Sequence, residues 1–109
     1  MNIKQRIENK DYTNKDLVEW LDNDNPILLY LVITTIVSND IRDKNIIDKL
    51  LKLSNKLNND NKVLGYYKKG HLAMSALLKL GIDSDSVFTI DLDPFEKEMT
   101  LKFLNDNDW

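Results

Sequence analysis

The run Gly65-Tyr66-Tyr67-Lys68-Lys69-Gly70-His71 gathers the side chains best equipped for chemistry in this chain. His71 is the single histidine and titrates near neutrality, which makes it the natural candidate for a general acid or base. Such a group needs an orienting partner, and no Ser-His-Asp or His-Glu motif surrounds it. Directly after Gly70, it is expected to cap or line the start of a helix. The glycines make no phosphate loop, because both the GK[ST] pattern and a Gly-x-Gly are missing. Paired tyrosines and lysines suit a contact surface better, since tyrosine offers large area with few torsions to freeze. Tyr66, Tyr67, Lys68, Lys69 and His71 are therefore candidate partner-binding residues. The competing reading packs a tyrosine inward and leaves the lysines solvated.

A second group is acidic. Asp83, Asp85, Asp91 and Asp93 lack the alternation, central glycine and closing Glu of an EF-hand loop. Ser84 and Ser86 between them fit turn chemistry. Asp83, Asp85 and Asp91 are retained as candidate contacts for a basic protein, and no metal is expected. With no cysteine there is no disulfide framework, thiolate site or cysteine nucleophile. No catalytic residue and no cofactor is expected.

Charge is unevenly placed. Residues 41–80 hold nine basic and three acidic side chains, and residues 81–109 hold two basic and eight acidic. Lys49, Lys52, Lys56, Lys62, Lys68 and Lys69, with Tyr66 and Tyr67, could follow a phosphate backbone, so a nucleic-acid-associated protein is the alternative reading. The pI of about 5.0, the lone Arg42 in the basic third and the acidic flanks weigh against it.

Helices must position these groups. Thr13 and Asp16 resemble a capping box before Leu17 and Val18. Asn25-Pro26 can start a helix through Ile27–Val37, which is apolar nearly all round and is expected to be central and buried. Its β-branched content would also suit a buried strand, but its length and Asn-Pro start favour a helix. Asp43 or Asn45 caps a stripe of Ile46, Ile47, Leu50, Leu51, Leu53 and Leu57, ended by residues 58–61. His71–Leu80 is a further helix stopped by Gly81, with Ala73 and Ala76 allowing close approach. Residues 84–92 read equally as extended or as a helical turn. Asp93-Pro94 caps the last helix, with Glu96 and Glu98 near its positive end. No hairpin turn and no alternating run is found. The chain reads as all-α, one domain over residues 1–109 with roughly three helix-pair units.

Asp24, Asp60 and Asp93 recur at 36 and 33 residues, in the range of helix-pair repeats. Residues Leu17 to Pro26 look like a first helix with its turn, and His71 to Gly81 like a second helix with small alanines. On those segments the chain resembles HEAT-repeat α-solenoids over roughly residues 14–105. It departs from the pattern at Leu28-Leu29, where a basic residue is usual, and at the Lys62–Gly70 insertion. The resemblance implies a short stack of antiparallel helix pairs and macromolecular binding, with a non-repeat helical bundle as the alternative. A minimal stack needs its ends covered, so a compact stack or a homodimer is expected.

The polar N-terminal segment carries no signal-peptide pattern, and the run Ile27–Val37 is too short to span a bilayer. A cytoplasmic location and no membrane partner are expected. The abundance of Asn, Lys, Asp and Ile resembles coding from an AT-rich genome and points to a bacterium. Together these readings lead to a non-enzymatic protein–protein interaction module. A bacterial immunity or adaptor protein, whose segment Asp83–Glu98 meets a toxin or other basic protein, is the concrete form expected.

Overall fold

The computed structural model describes residues 2–109. They form α1 (Ile3–Glu8), α2 (Asn14–Trp20), α3 (Pro26–Ser38) and α4 (Lys44–Leu53). A small hairpin, β1 (Lys62–Leu64) and β2 (Tyr67–Lys68), leads into α5 (Lys69–Lys79), followed by α6 (Ser84–Val87) and α7 (Pro94–Asp106). The molecule is mostly helical, as the sequence suggests. No helix among the described residues is long and apolar enough to cross a membrane.

The helix starts follow their capping residues. Thr13 Oγ1 accepts from the Asp16 N–H at 3.2 Å, and Asp16 Oδ2 accepts from the Thr13 N–H at 2.9 Å. The same carboxylate takes the Arg6 guanidinium at 3.0 Å. The Thr13 amide, with help from the Thr13 hydroxyl and Arg6, holds Asp16 below the ordinary carboxylate value despite some burial. Asn25, Asp43 and Asp93 each accept from backbone amides of the first turn that follows. Gly81 ends α5 with φ at +86°, a backbone conformation that suits glycine.

Helices alternate in their packing. α1 lies on α3, α3 on α5 and α5 on α7, while α2 lies on α4. Neighbours in sequence also touch, α2 with α3, α4 with α5 and α5 with α6. The result is elongated, 40 × 26 × 22 Å. α5 sits centrally, and every residue from Gly70 to Leu77 on it is buried. Its small residues make this possible. A Cβ on Gly70 would lie 2.6 Å from Leu57 Cδ2 and 2.8 Å from the Ser54 carbonyl oxygen. The Gly70 N–H meanwhile donates to the Lys56 carbonyl at 3.0 Å, joining α5 to the chain after α4.

Three expectations are corrected. A hairpin exists, because Gly65 takes φ +58° and closes a two-residue connection between Leu64 and Tyr67. Strands of three and two residues leave too little alternation for the sequence to register. α4 stops at Leu53 rather than near Asn58. The Ser54 hydroxyl turns back onto the Leu50 carbonyl at 2.9 Å, and Leu57 leaves the helix to lie over Gly70. α3 is not buried throughout, since Ile27 is exposed and its burial begins at Leu29. Residues 84–92, open in sequence, form the single turn α6 and an irregular connection.

Candidate functional site

His71 occupies the third position of α5, with its side chain fully enclosed. Nδ1 accepts from the Lys68 backbone N–H at 3.0 Å. The neutral ring therefore carries its proton on Nε2, which donates to Glu96 Oε1 on α7 at 3.2 Å. The other Glu96 oxygen lies 3.6 Å from Lys68 Nζ. All three side chains are withdrawn from water, so each charge depends on its neighbours. Burial pushes the imidazole below its usual 6.5, and the Glu96 hydrogen bond and charge only partly oppose that. His71 is thus held neutral.

This cluster joins three elements. Tyr67 on β2 packs edge-on to His71 and to Phe103 of α7, with ring centroids 6.4 and 5.1 Å apart. One turn further along, the Ser75 hydroxyl donates to the Thr100 carbonyl at 3.0 Å, and the Thr100 hydroxyl to the Glu96 carbonyl at 2.9 Å. The hairpin, α5 and α7 are stitched together by buried, mutually satisfied polar groups. A general base must reach its substrate, whereas His71 is sealed inside this brace.

The candidate contact residues therefore separate. Tyr66, at the hairpin tip, is 80% exposed. Tyr67 is turned inward. Lys68 is committed to Glu96, and Lys69 lies 3.4 Å from Asp24 Oδ1. His71 offers no surface to a partner and is withdrawn from the contact set. Asp83, Asp85 and Asp91 are exposed and form no ion pair among the described residues. No three histidines or carboxylates among the described residues gather at metal-binding distance.

In the same stretch of chain are two apolar side chains, of which the sequence assigns Phe95 to the apolar surface of the last helix. Ile90 is 99% exposed on the connection after α6, and Phe95 is 58% exposed on the first turn of α7. Asp93 between them caps α7, its Oδ1 accepting from the Phe95 N–H at 2.9 Å. Glu98 adds a further exposed carboxylate, and Lys97 instead lies over the Phe88 ring at 5.4 Å. Along residues 83–98, Ile90 and Phe95 are thus exposed in a stretch whose Asp83, Asp85, Asp91 and Glu98 form no ion pair among the described residues. Glu96, next to Phe95, faces the opposite way into the brace. Its spacing to Thr100 and Phe103 is the one sequence signal that places it on the inner face.

Compared with protein-family models, characterised proteins and solved structures, the chain matches none.

Proposed function

We propose that this chain is a non-enzymatic protein-binding module whose contact surface is the ridge formed by residues 83–98. The observation that carries the reading is the exposure of Ile90 and Phe95 along a stretch where Asp83, Asp85, Asp91 and Glu98 form no ion pair among the described residues. Aromatic residues anchor interfaces, and surrounding charge steers the partner and rejects wrong ones. The complementary partner is a basic protein with an apolar recess. A bacterial immunity or adaptor protein covering a basic toxin surface is the concrete form this takes, and a cytoplasmic site of action accompanies it.

The fold belongs to the same proposal. We read α2–α3, α4–α5 and α6–α7 as three HEAT-like helix pairs, with α1 covering the first. Support comes from the alternate packing of α1, α3, α5 and α7 and of α2 with α4. Stacked helix pairs expose long surfaces suited to macromolecular contacts.

The test is recovery of partners from the native host on two baits, wild type and an Ile90→Ala/Phe95→Ala double variant. A basic protein held by wild type and lost by the variant supports the reading. Identical recoveries on both baits would remove it. Light scattering after size exclusion separately checks self-association, since a concentration-independent monomer would end the homodimer proposal.

A further inference from the structure

A second surface lies along α4. Two adjoining clefts of about 430 and 470 Å³ share Lys49 and Lys52 as a common wall. Their volumes fall within the usual span for small-ligand sites. The first also takes in Lys15 on α2, and the second takes in Lys56 beyond the end of α4.

The charges in these walls are unequal in availability. Three carboxylates line the clefts, and each is already engaged. Asp22 pairs with Lys49, and Asp48 lies 3.6 Å from Lys44 Nζ. Asp43 Oδ1 accepts from the Asn45 and Ile46 amides as the cap of α4. Lys15, Lys52 and Lys56, by contrast, are exposed and form no ion pair among the described residues. Lys52, on the last turn of α4, and Lys56, beyond its end, both line the second cleft. Asn55, Asn58 and Asn61 add amides able to donate to and accept from a polar ligand.

We infer that this pair of clefts is a site for a small phosphate-bearing ligand, held by Lys52 and Lys56 with Lys15 at its far end. Ammonium groups bind phosphate as point charges, and the unpaired Lys52 shared by both clefts, with Lys56 in one and Lys15 in the other, fits a multiply charged group. A nucleic acid is disfavoured as occupant. Lys68 and Lys69 are committed elsewhere, and the acidic residues 83–98 repel a long polyanion.

The experiment is an NMR titration of the ¹⁵N-labelled full chain with inorganic pyrophosphate at low ionic strength, against sodium chloride matched in ionic strength. Saturable amide shifts confined to the ends of α2 and α4 and to residues 55–61 are expected. A Lys52→Gln/Lys56→Gln variant should bind about tenfold more weakly, as expected if most of the attraction comes from these two charges. Both lysines are exposed, and unchanged shifts elsewhere verify that the variant folds. Shifts that never saturate, that chloride reproduces, or that persist undiminished in the variant would overturn the site. A short oligothymidylate in a third arm distinguishes the sources of phosphate. Weaker binding than pyrophosphate supports the small ligand, and tighter binding, lost in the same variant, would overturn it in favour of nucleic acid.

Discussion

The α4 face and the ridge of residues 83–98 solve the same electrostatic problem with opposite remainders. Along α4 the carboxylates are engaged by neighbouring lysines or by a helix cap, and lysines are left over. On the ridge most of the carboxylates are left over and accompany exposed Ile90 and Phe95. Net charge of a segment therefore misleads. The basic middle of the sequence is partly consumed inside the fold, with Lys68 and Lys69 tied to Glu96 and Asp24. What a partner meets is the residue of charge after internal pairing, and here the two faces differ in both sign and apolar content.

The sharpest way to break the comparison is to damage the joint that both faces share. Gly70→Ala places a methyl group against Leu57 and the Ser54 carbonyl, where the helix ends approach too closely for it. A loss of about 3 kcal/mol is expected, the upper range for overpacking, with both faces affected. Chemical denaturation gives the value directly, and a change below roughly 0.5 kcal/mol would mean the approach is loose.

Glu96→Ala should act on one side alone. It removes the acceptor from His71 and the counter-charge from Lys68, at an expected cost of about 2 kcal/mol. Amide shifts should concentrate in the hairpin, α5 and α7, with the ends of α2 and α4 unmoved. Shifts spread evenly over both faces would contradict the brace as described.

Acidification offers a gentler probe of the same side. The folded His71 binds its proton less readily than the unfolded chain, whose value is the ordinary 6.5. Below pH 6.5 the unfolded state therefore takes up more protons, and stability falls as pH drops toward the lower folded value. Above 6.5 this group contributes no pH dependence. A His71→Gln variant, if folded, should lose that slope, and a retained slope would assign it to another group. Asp16 acts further down, its contribution being present above 3.8 and lost as pH falls through its lowered folded value.

The smallest effects on stability belong to the contact surfaces themselves. Ile90→Ala and Phe95→Ala should each stay within roughly 0.5 kcal/mol of wild type, because neither side chain supports the core. Thermal unfolding checks this, and a larger loss would make Phe95 a packing residue instead of a contact.

How much of this was legible beforehand differs between elements. The caps at Thr13, Asn25 and Asp93 and the stop at Gly81 depend on local chemistry, and the sequence displays them directly. The alanines of α5 likewise point to close packing. The hairpin was not visible, since strands this short are fixed by docking Tyr67 and Lys68 onto α7. The sequence places Glu96 near the positive end of the last helix, but its partners lie 25 and 28 residues away. Its spacing to Thr100 and Phe103 marks the inner face of α7, but long-range pairing leaves no local pattern that names the partners. For the same reason the exposure of Ile90 and Phe95 could not be told from core packing by residue type.

Quantitative recovery of host proteins on wild-type and Ile90→Ala/Phe95→Ala baits tests the central claim most directly. The ridge predicts a basic protein enriched on wild type, released by rising salt and lost from the variant. Equal recovery on both baits, with the variant shown to be folded, would contradict it.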